Sequence, residues 1–320
     1  MIGIVDVASR PEWVEEFQQS CDMLECPWRL VKMNHRDWRS QLKGLSLILW
    51  RAHQGDQKEL KIAKERIPLI ERMNIRCFPS ASMIYYYDDK AREAQFFKDR
   101  HLATPETMVG KDPQELFAFL QEASYPLVAK TPSGANSKNV HLIRTAEEGK
   151  KLVRFAFGKL PRFLWPGYGH WKAFRNGGAV LFQEYIPSEG DWRITTFGKD
   201  TVSVVKRWNR PGDFRASGSG IRDHVVSGDV PLEICHLLLQ VGQEKGFTSM
   251  AYDLLPHMGK WRVLEMSYTF PLHSIFTETL FQIADNKASS IKPLRIGVLH
   301  LRAMRDLIGD EIWTDEVMKQ

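Results

Sequence analysis

Two carboxylates lie in apolar runs that read as the arms of a β-hairpin. Asp253 falls in Ser249–Leu255 and Glu265 in Trp261–Met266, with a glycine-centred turn, Met258-Gly259-Lys260, between them. A three-residue turn sets the two acids directly opposite, with β-carbons roughly 5 Å apart. Like charges placed so, among Ala251, Leu254, Leu255, Val263 and Leu264, need a cation between them, or one must take a proton. Mg²⁺, hard and oxygen-seeking, meets that need. Ser267, two residues beyond Glu265 on the same face, offers a third oxygen. A metal held by two carboxylates commonly holds phosphates too.

The chain has the positive charge for that. Lys130 ends the apolar run Tyr125–Lys130 and precedes a polar loop, Thr131-Pro132-Ser133-Gly134-Ala135-Asn136-Ser137-Lys138. Backbone N–H groups at Ser133 and Gly134 can cradle phosphate while Lys130 neutralises its charge. Asp191 and Arg193 project from one face of Asp191–Phe197, and Arg207 lies in the partner run Thr201–Trp208 across the turn Gly198-Lys199-Asp200. Arg210, Arg215 and Arg222 sit in a glycine-containing segment, 209–229, and suit a carboxylate, a phosphate or an acyl phosphate. Taken singly, each feature also fits a solvated strand face or an ordinary charged loop.

The elements that must position these residues follow from hydrophobic period and breakers. Strands at 2–7, 28–33, 45–51 and 75–78 alternate with helices at 11–21, 37–43 and 57–73, the order of a small parallel sheet. No GxGxxG follows its first strand, so it holds no dinucleotide site of the usual kind. Next come helices at 88–102 and 112–123, strands at 125–130 and 139–144, a helix at 146–157, a Gly/Pro/Trp/Arg-rich loop at 161–178 and a strand at 179–186. The third part is mostly antiparallel, with the two hairpins, a helix at 232–244, and a last 50 residues helical in pattern.

Composition narrows the partners. The chain has 320 residues, 43% hydrophobic and 26% charged, with 17 Phe, 10 Trp and 8 Tyr, which supplies a core and rules out disorder as the main state. The net charge of +5 fits an anionic small ligand and is too even for a nucleic-acid stripe. No apolar run reaches membrane-spanning length and no signal peptide is evident. Cys21, Cys26, Cys77 and Cys235 form no CxxC pattern, which points to a reducing cytoplasm. The 10 histidines show no HxH or HExxH spacing, against a zinc hydrolase.

In order and spacing these features resemble the ATP-grasp superfamily, and within it the carboxylate–amine ligases that include D-alanine–D-alanine ligase, glutathione synthetase and the ribosomal-protein glutamate ligases. The resemblance spans about residues 85–272. It implies an α/β and α+β fold: a Rossmann-like pre-ATP-grasp domain at 1–84, an N-terminal or lid subdomain at 85–185, and an antiparallel C-terminal subdomain with the metal-binding hairpin at 186–320. Asp89-Lys90 with Phe96-Phe97 looks like the opening helix, Lys90 being the first nucleotide lysine, and Leu127–Lys130 the strand of the second. Ser133 and Gly134 occupy the phosphate-covering loop. Gln183, Glu184, Tyr185 and Ile186 resemble the hinge along adenine, Asp191 the ribose-binding acid, and Arg193 and Arg207 the cationic phosphate contacts. Asp253, Glu265 and Ser267 match the metal triplet, where Ser267 replaces the usual Asn. The loop usually reading Arg-x-Asn-x-x-Gly-Gly is here Arg215-Ala216-Ser217-Gly218-Ser219-Gly220.

The resemblance implies ATP, one or two Mg²⁺ ions, and small-molecule or peptide carboxylate and amine substrates joined through an acyl phosphate, with release of ADP and phosphate. Arg207 and Arg215 would act in catalysis, Arg215 on the tetrahedral intermediate. No nucleic-acid or membrane partner is implied, and homo-oligomerisation is left open. The alternatives are a phosphotransferase on the same fold, a nucleotide-binding scaffold or sensor without turnover, and a two-domain glycosyltransferase, which the antiparallel second half opposes.

Overall fold

Strand β1 (Ile2–Val5) is buried along its whole length, as a central parallel strand covered on both faces must be. The computed structural model describes residues 1–134, 139–158, 169–176, 178–270, 272, 280–292 and 294–308. In it β1 pairs in parallel with β2 (Trp28–Val31) and β3 (Leu47–Leu49), and β3 with β4 (Arg76–Phe78), in the order β2-β1-β3-β4. Helix α1 (Pro11–Met23) opens on Pro11, and α2 (Gln57–Glu71) is capped by Asp56, whose carboxylate accepts from the Glu59 N–H. The helix expected at 37–43 is only a short 3₁₀ turn, Ser40–Leu42. A short helix, α3 (Ala81–Tyr86), leads to α4 (Lys90–Asp99), capped by Asp89.

A second, antiparallel sheet runs β5-β8-β6-β7, from β5 (Thr107–Gly110), β6 (Leu127–Lys130), β7 (Val140–Ile143) and β8 (Val180–Glu184). Between the helices expected at 88–102 and 112–123, Thr107 opens a strand, β5, against β8. With α5 (Pro113–Glu122) and α6 (Ala146–Phe157), this sheet has a separate core built on Leu116, Leu120, Ile143, Leu152 and Phe182.

The largest sheet holds seven strands, β13-β12-β9-β10-β14-β15 with β11 on β10. These are β9 (Gly190–Phe197), β10 (Thr201–Trp208), β11 (Arg222–His224), β12 (Ser249–His257), β13 (Lys260–Ser267), β14 (Leu280–Ala284) and β15 (Lys287–Ser290), with α7 (Leu232–Lys245) between β11 and β12 and α8 (Ile296–Ile308) at the end. The wholly helical C-terminal pattern is therefore corrected. β14 and β15 form a hairpin around Asp285 and Asn286, both at positive φ (49° and 56°), the geometry of a tight two-residue hairpin turn. Leu280, Phe281 and Ile283 are buried there, and an apolar run this short reads equally as helix or strand.

The core of this sheet is continuous with that of the parallel sheet. His300 marks the junction: fully buried, with its ring stacked on Phe270 (5.8 Å, 8°) and 4.1 Å from that of Phe78. No described helix is long and apolar enough to cross a membrane. All four cysteines are free and buried, and burial pushes the Cys21 and Cys235 thiols up to about 12, so they are poor nucleophiles.

Candidate active site

The β12–β13 hairpin sets Asp253 opposite Glu265, as expected, but by another route. The turn is two residues, Met258 (φ 49°) and Gly259 (φ 70°), and Lys260 pairs with His257. That register would carry Asp253 past Glu265 by one position. A β-bulge between Asp253 and Leu254 absorbs the difference: Leu254 faces Val263, Leu264 is the extra residue, and Asp253 faces Glu265. The bulged edge is covered by the segment leading to β5, where Val263 N–H donates to Ala103 O (2.8 Å) and Thr104 Oγ1 to Val263 O (2.8 Å).

Each carboxylate has a protein cation of its own. Arg193, next door on β9, donates from Nε to Asp253 Oδ1 (2.8 Å) and from Nη2 to Oδ2 (2.9 Å). Arg207 on β10 reaches Asp253 Oδ2 (3.0 Å) and grips Asp191 through Nε–Oδ1 (2.6 Å) and Nη2–Oδ2 (2.7 Å). Burial alone would raise Asp253, yet the two guanidiniums hold it well below the usual carboxylate range. Glu265 is less committed, its side chain 35% exposed against 15% for Asp253, with Lys90 Nζ 3.5 Å away.

The lysines meet here from two elements. Lys90, in the first turn of α4, donates to Gly134 O (2.9 Å), and its own N–H donates to Pro132 O (2.9 Å). Asp88 accepts from Gly134 N–H (2.6 Å), so the start of the Ser133–Gly134 loop is tied to α4; residues 135–138 lie outside the described residues. Lys130, at the end of β6, donates to Gln183 Oε1 (2.6 Å), and Gln183 donates in turn to Thr107 Oγ1 (2.9 Å). Burial pulls Lys130 down to about 8, against the opposing pull of Glu265.

Glu93 is the residue that sequence reasoning missed. It lies three positions after Lys90 on the buried face of α4 with Phe96 and Phe97, and accepts from the Met266 N–H (3.1 Å). Burial first, and Glu265 second, push it up to about 8. The legible signal was an acid within a stripe otherwise aromatic. Lys90, Lys130, Arg193 and Arg207 thus stand among the acids Glu93, Glu265, Asp253 and Asp191, of which Glu93 is pushed toward its protonated form.

Lys130, Glu93, Asp191, Arg193, Arg207, Asp253 and Glu265 border one cleft of about 760 Å³ between the antiparallel sheets, with Lys90 behind Glu265 at 3.5 Å. Tyr185 and Ile186 line it where the chain leaves β8, and their backbone groups have no protein partner among the described residues. That suits the edge of a flat polar ring. Ser267 Oγ is engaged locally, donating to Thr269 O (2.9 Å) and accepting from Thr269 N–H (3.0 Å). Arg215 borders the cleft and pairs with Asp213 (Nη2–Oδ2 2.5 Å), while its Nη1 reaches Val140 O on β7 (3.4 Å). The oxygen set Asp253, Glu265 and Ser267 suits a hard divalent cation, since a carboxylate paired to arginine keeps further lone pairs. No cluster of three or more His, Cys, Asp or Glu suited to a metal occurs among the described residues.

Comparison with known proteins identifies the family and the fold. The model of the RimK-like ATP-grasp domain matches residues 87–288, well over half of the chain, and the protein belongs to that family. No curated protein matches the sequence. Among solved structures, the chain is similar to D-alanine–D-alanine ligase from Bacillus anthracis complexed with ATP (15% identity, 96% of each chain, TM-score 0.62). It is similar also to a RimK domain protein of Sphaerobacter thermophilus DSM 20745 (13%, 96% of this chain and 99% of that, TM-score 0.59). A third is the macrocyclase MdnC of Microcystis aeruginosa MRC, bound with its precursor peptide MdnA (14%, 96% and 99%, TM-score 0.59). At these identities the likeness is one of fold.

Proposed function

We propose that the protein is an ATP-dependent carboxylate–amine ligase. The observation that carries this reading is the apposition of Asp253 and Glu265 on one hairpin, with Lys130, Arg193 and Arg207 lining the same cleft and Lys90 3.5 Å from Glu265. Adenine would lie along Tyr185 and Ile186, and the triphosphate would reach toward the lysines. Glu265, Asp253 and Ser267 would hold Mg²⁺, which supplies charge neutralisation on the phosphates and the leaving ADP.

The chain's own groups do the rest. Lys90, Lys130 and Arg207 take up charge on the transferring phosphoryl group, a task of positioning and electrostatics. A substrate carboxylate oxygen bonds to the γ-phosphorus as the bond to the β-phosphate oxygen breaks, giving an acyl phosphate and ADP. An amine then attacks the carbonyl carbon, phosphate leaves with the C–O pair, and the amine loses a proton. Arg215 would face the tetrahedral oxyanion after exchanging its Asp213 partner.

We further read residues 1–84 as the preceding domain, 85–185 as the lid and 186–320 as the domain carrying the metal hairpin. The separate core of the lid supports this division. The engagement of Ser267 by Thr269 favours one second reading, a nucleotide binder without turnover. Chromatography of the nucleotide products with candidate amines and acids separates the readings: ADP and phosphate support ligation, AMP and pyrophosphate refute it, and ATP binding without turnover leaves the second reading.

A further inference from the structure

A second cationic group faces the same cleft from the parallel sheet. Open parallel sheets take ligands in the crevice beyond the carboxyl ends of their strands. Two loops meet there, Ser9–Arg10 after β1 and Arg51–Gly55 after β3, and Arg10, Glu12, Trp13, Arg51, His53 and Gln54 border the cleft, with Arg10 paired to Glu12 at 3.3 Å and Arg51 beyond salt-bridge reach of Glu12. Arg51 is only 6% exposed. Its Nη2 donates to Phe270 O (2.9 Å) and its guanidinium lies 4.7 Å from the Trp13 ring centroid. Among the described residues Nε and Nη1 have no hydrogen-bond partner and Arg51 has no salt bridge, Glu12 acting on it only from a distance. Gln54 Oε1, on the same loop, is also buried without a donor.

A buried guanidinium without a counter-ion is costly, and proteins pair such charges or use them. Burial lowers Arg51 only to about 10, so it stays charged at neutral pH. Arg193 and Arg207, the other arginines at the centre of the cleft, are each paired to a carboxylate, and Lys130 has the Gln183 amide oxygen. The loop is also fixed to the end of β13: Thr269, bonded to Ser267, donates to the Tyr87 hydroxyl (2.8 Å), which accepts from the Gln54 N–H (3.1 Å). Tyr268 donates to Ala52 O (2.6 Å). Arg51 is therefore held in register with the strand that carries Glu265.

We propose that Arg51 receives a carboxylate of the acid substrate other than the one that is phosphorylated, so that the substrate class is a dicarboxylic acid. This rests on the ligase reading above. One carboxylate goes to the lysine and arginine end of the cleft and reacts; the other goes to the parallel-sheet end and orients the molecule, with Arg10 at the mouth.

The test is calorimetric titration of the full chain with succinate, glutarate, butyrate and inorganic phosphate, with MgATP titrated on the same samples. The wild type binds succinate or glutarate at least about 10-fold tighter than butyrate, the scale of one charge-assisted contact. In Arg51→Met that ratio collapses to near one while MgATP binding persists. Arg51→Lys, which keeps the charge and loses the fork, falls between them and carries the test if the Met variant does not fold. A ratio near one in the wild type, or one that survives both substitutions, overturns the proposal and leaves the ligase reading standing. Phosphate binding as tightly as the dicarboxylates, with the same loss, overturns the carboxylate assignment. Failure of MgATP to bind the wild type refutes the ligase reading itself.

Discussion

Asp253 and Arg193 lie side by side on β12 and β9, joined by two parallel hydrogen bonds of 2.8 and 2.9 Å. Arg207 closes on the same carboxylate from one strand further on. Asp253 is therefore ionised before any ligand arrives, and the arginines that would bind phosphate are held in place by the acid that would bind metal. Binding of MgATP would then exchange partners among groups already charged and oriented, the preorganisation that electrostatic catalysis requires.

The lysines should act on the nucleotide. Lys130→Ala is expected to weaken ATP binding by about 1–3 kcal/mol, the loss of a charge-assisted contact. Removing Lys130 also leaves Gln183 Oε1 without its 2.6 Å donor. Lys90→Ala should weaken binding similarly and release Gly134, which it holds at 2.9 Å. Calorimetry on both variants measures this, and unchanged affinity in both would remove the lysines from the site.

Closure of the small antiparallel sheet should be visible in hydrogen exchange. Its core is separate from that of the other two sheets, and ligand-driven closure of such a unit excludes water. Exchange at Ser133 and Gly134 is expected to slow when a non-hydrolysable ATP analogue and Mg²⁺ are added. Unchanged exchange there, with binding confirmed, contradicts a lid.

His300 should set an acid limit on stability. Burial pushes it down to about 3, with Arg51 adding to the effect, so it is neutral in the folded protein and protonates near 6.5 when unfolded. Between those values the unfolded chain binds the extra proton. The stability from neutral His300 is therefore complete above about 6.5 and falls as pH drops through 3, by up to about 5 kcal/mol at 1.36 kcal/mol per pH unit. His300→Phe keeps a ring on Phe270 and removes two buried nitrogens that lack partners. Denaturant unfolding at pH 7.5 and 4.5 should show a smaller pH-dependent loss in the variant, and an equal loss in both contradicts the assignment.

Much of this arrangement was readable in the residues, though not always for the right reason. The register at Asp253 and Glu265 was expected from a three-residue turn; the two-residue Met258-Gly259 turn and the bulge at Leu264 cancel to give the same pairing. A bulge depends on pairing with neighbouring strands and has no local sequence mark. The need for a cation between the acids was also legible, but not that Arg193 and Arg207 already answer it for Asp253, because that contact crosses from β9 and β10 to β12. Glu93 was hidden by its type, since a glutamate on a charged helix reads as solvated until β13 is seen packed over it. The β14–β15 hairpin was lost to the periodicity of short apolar runs.

The most direct test of the ligase account is Mg²⁺-dependent ADP formation by the wild type and Glu265→Gln, with thermal melting of both. Glu265→Gln keeps the shape and removes the charge that faces Asp253 across the hairpin. The account predicts that the variant melts at or slightly above the wild-type temperature without metal and loses most of its ADP formation. Near-normal ADP formation in a folded Glu265→Gln protein would contradict it, taking Glu265 out of the metal site and Asp253 with it.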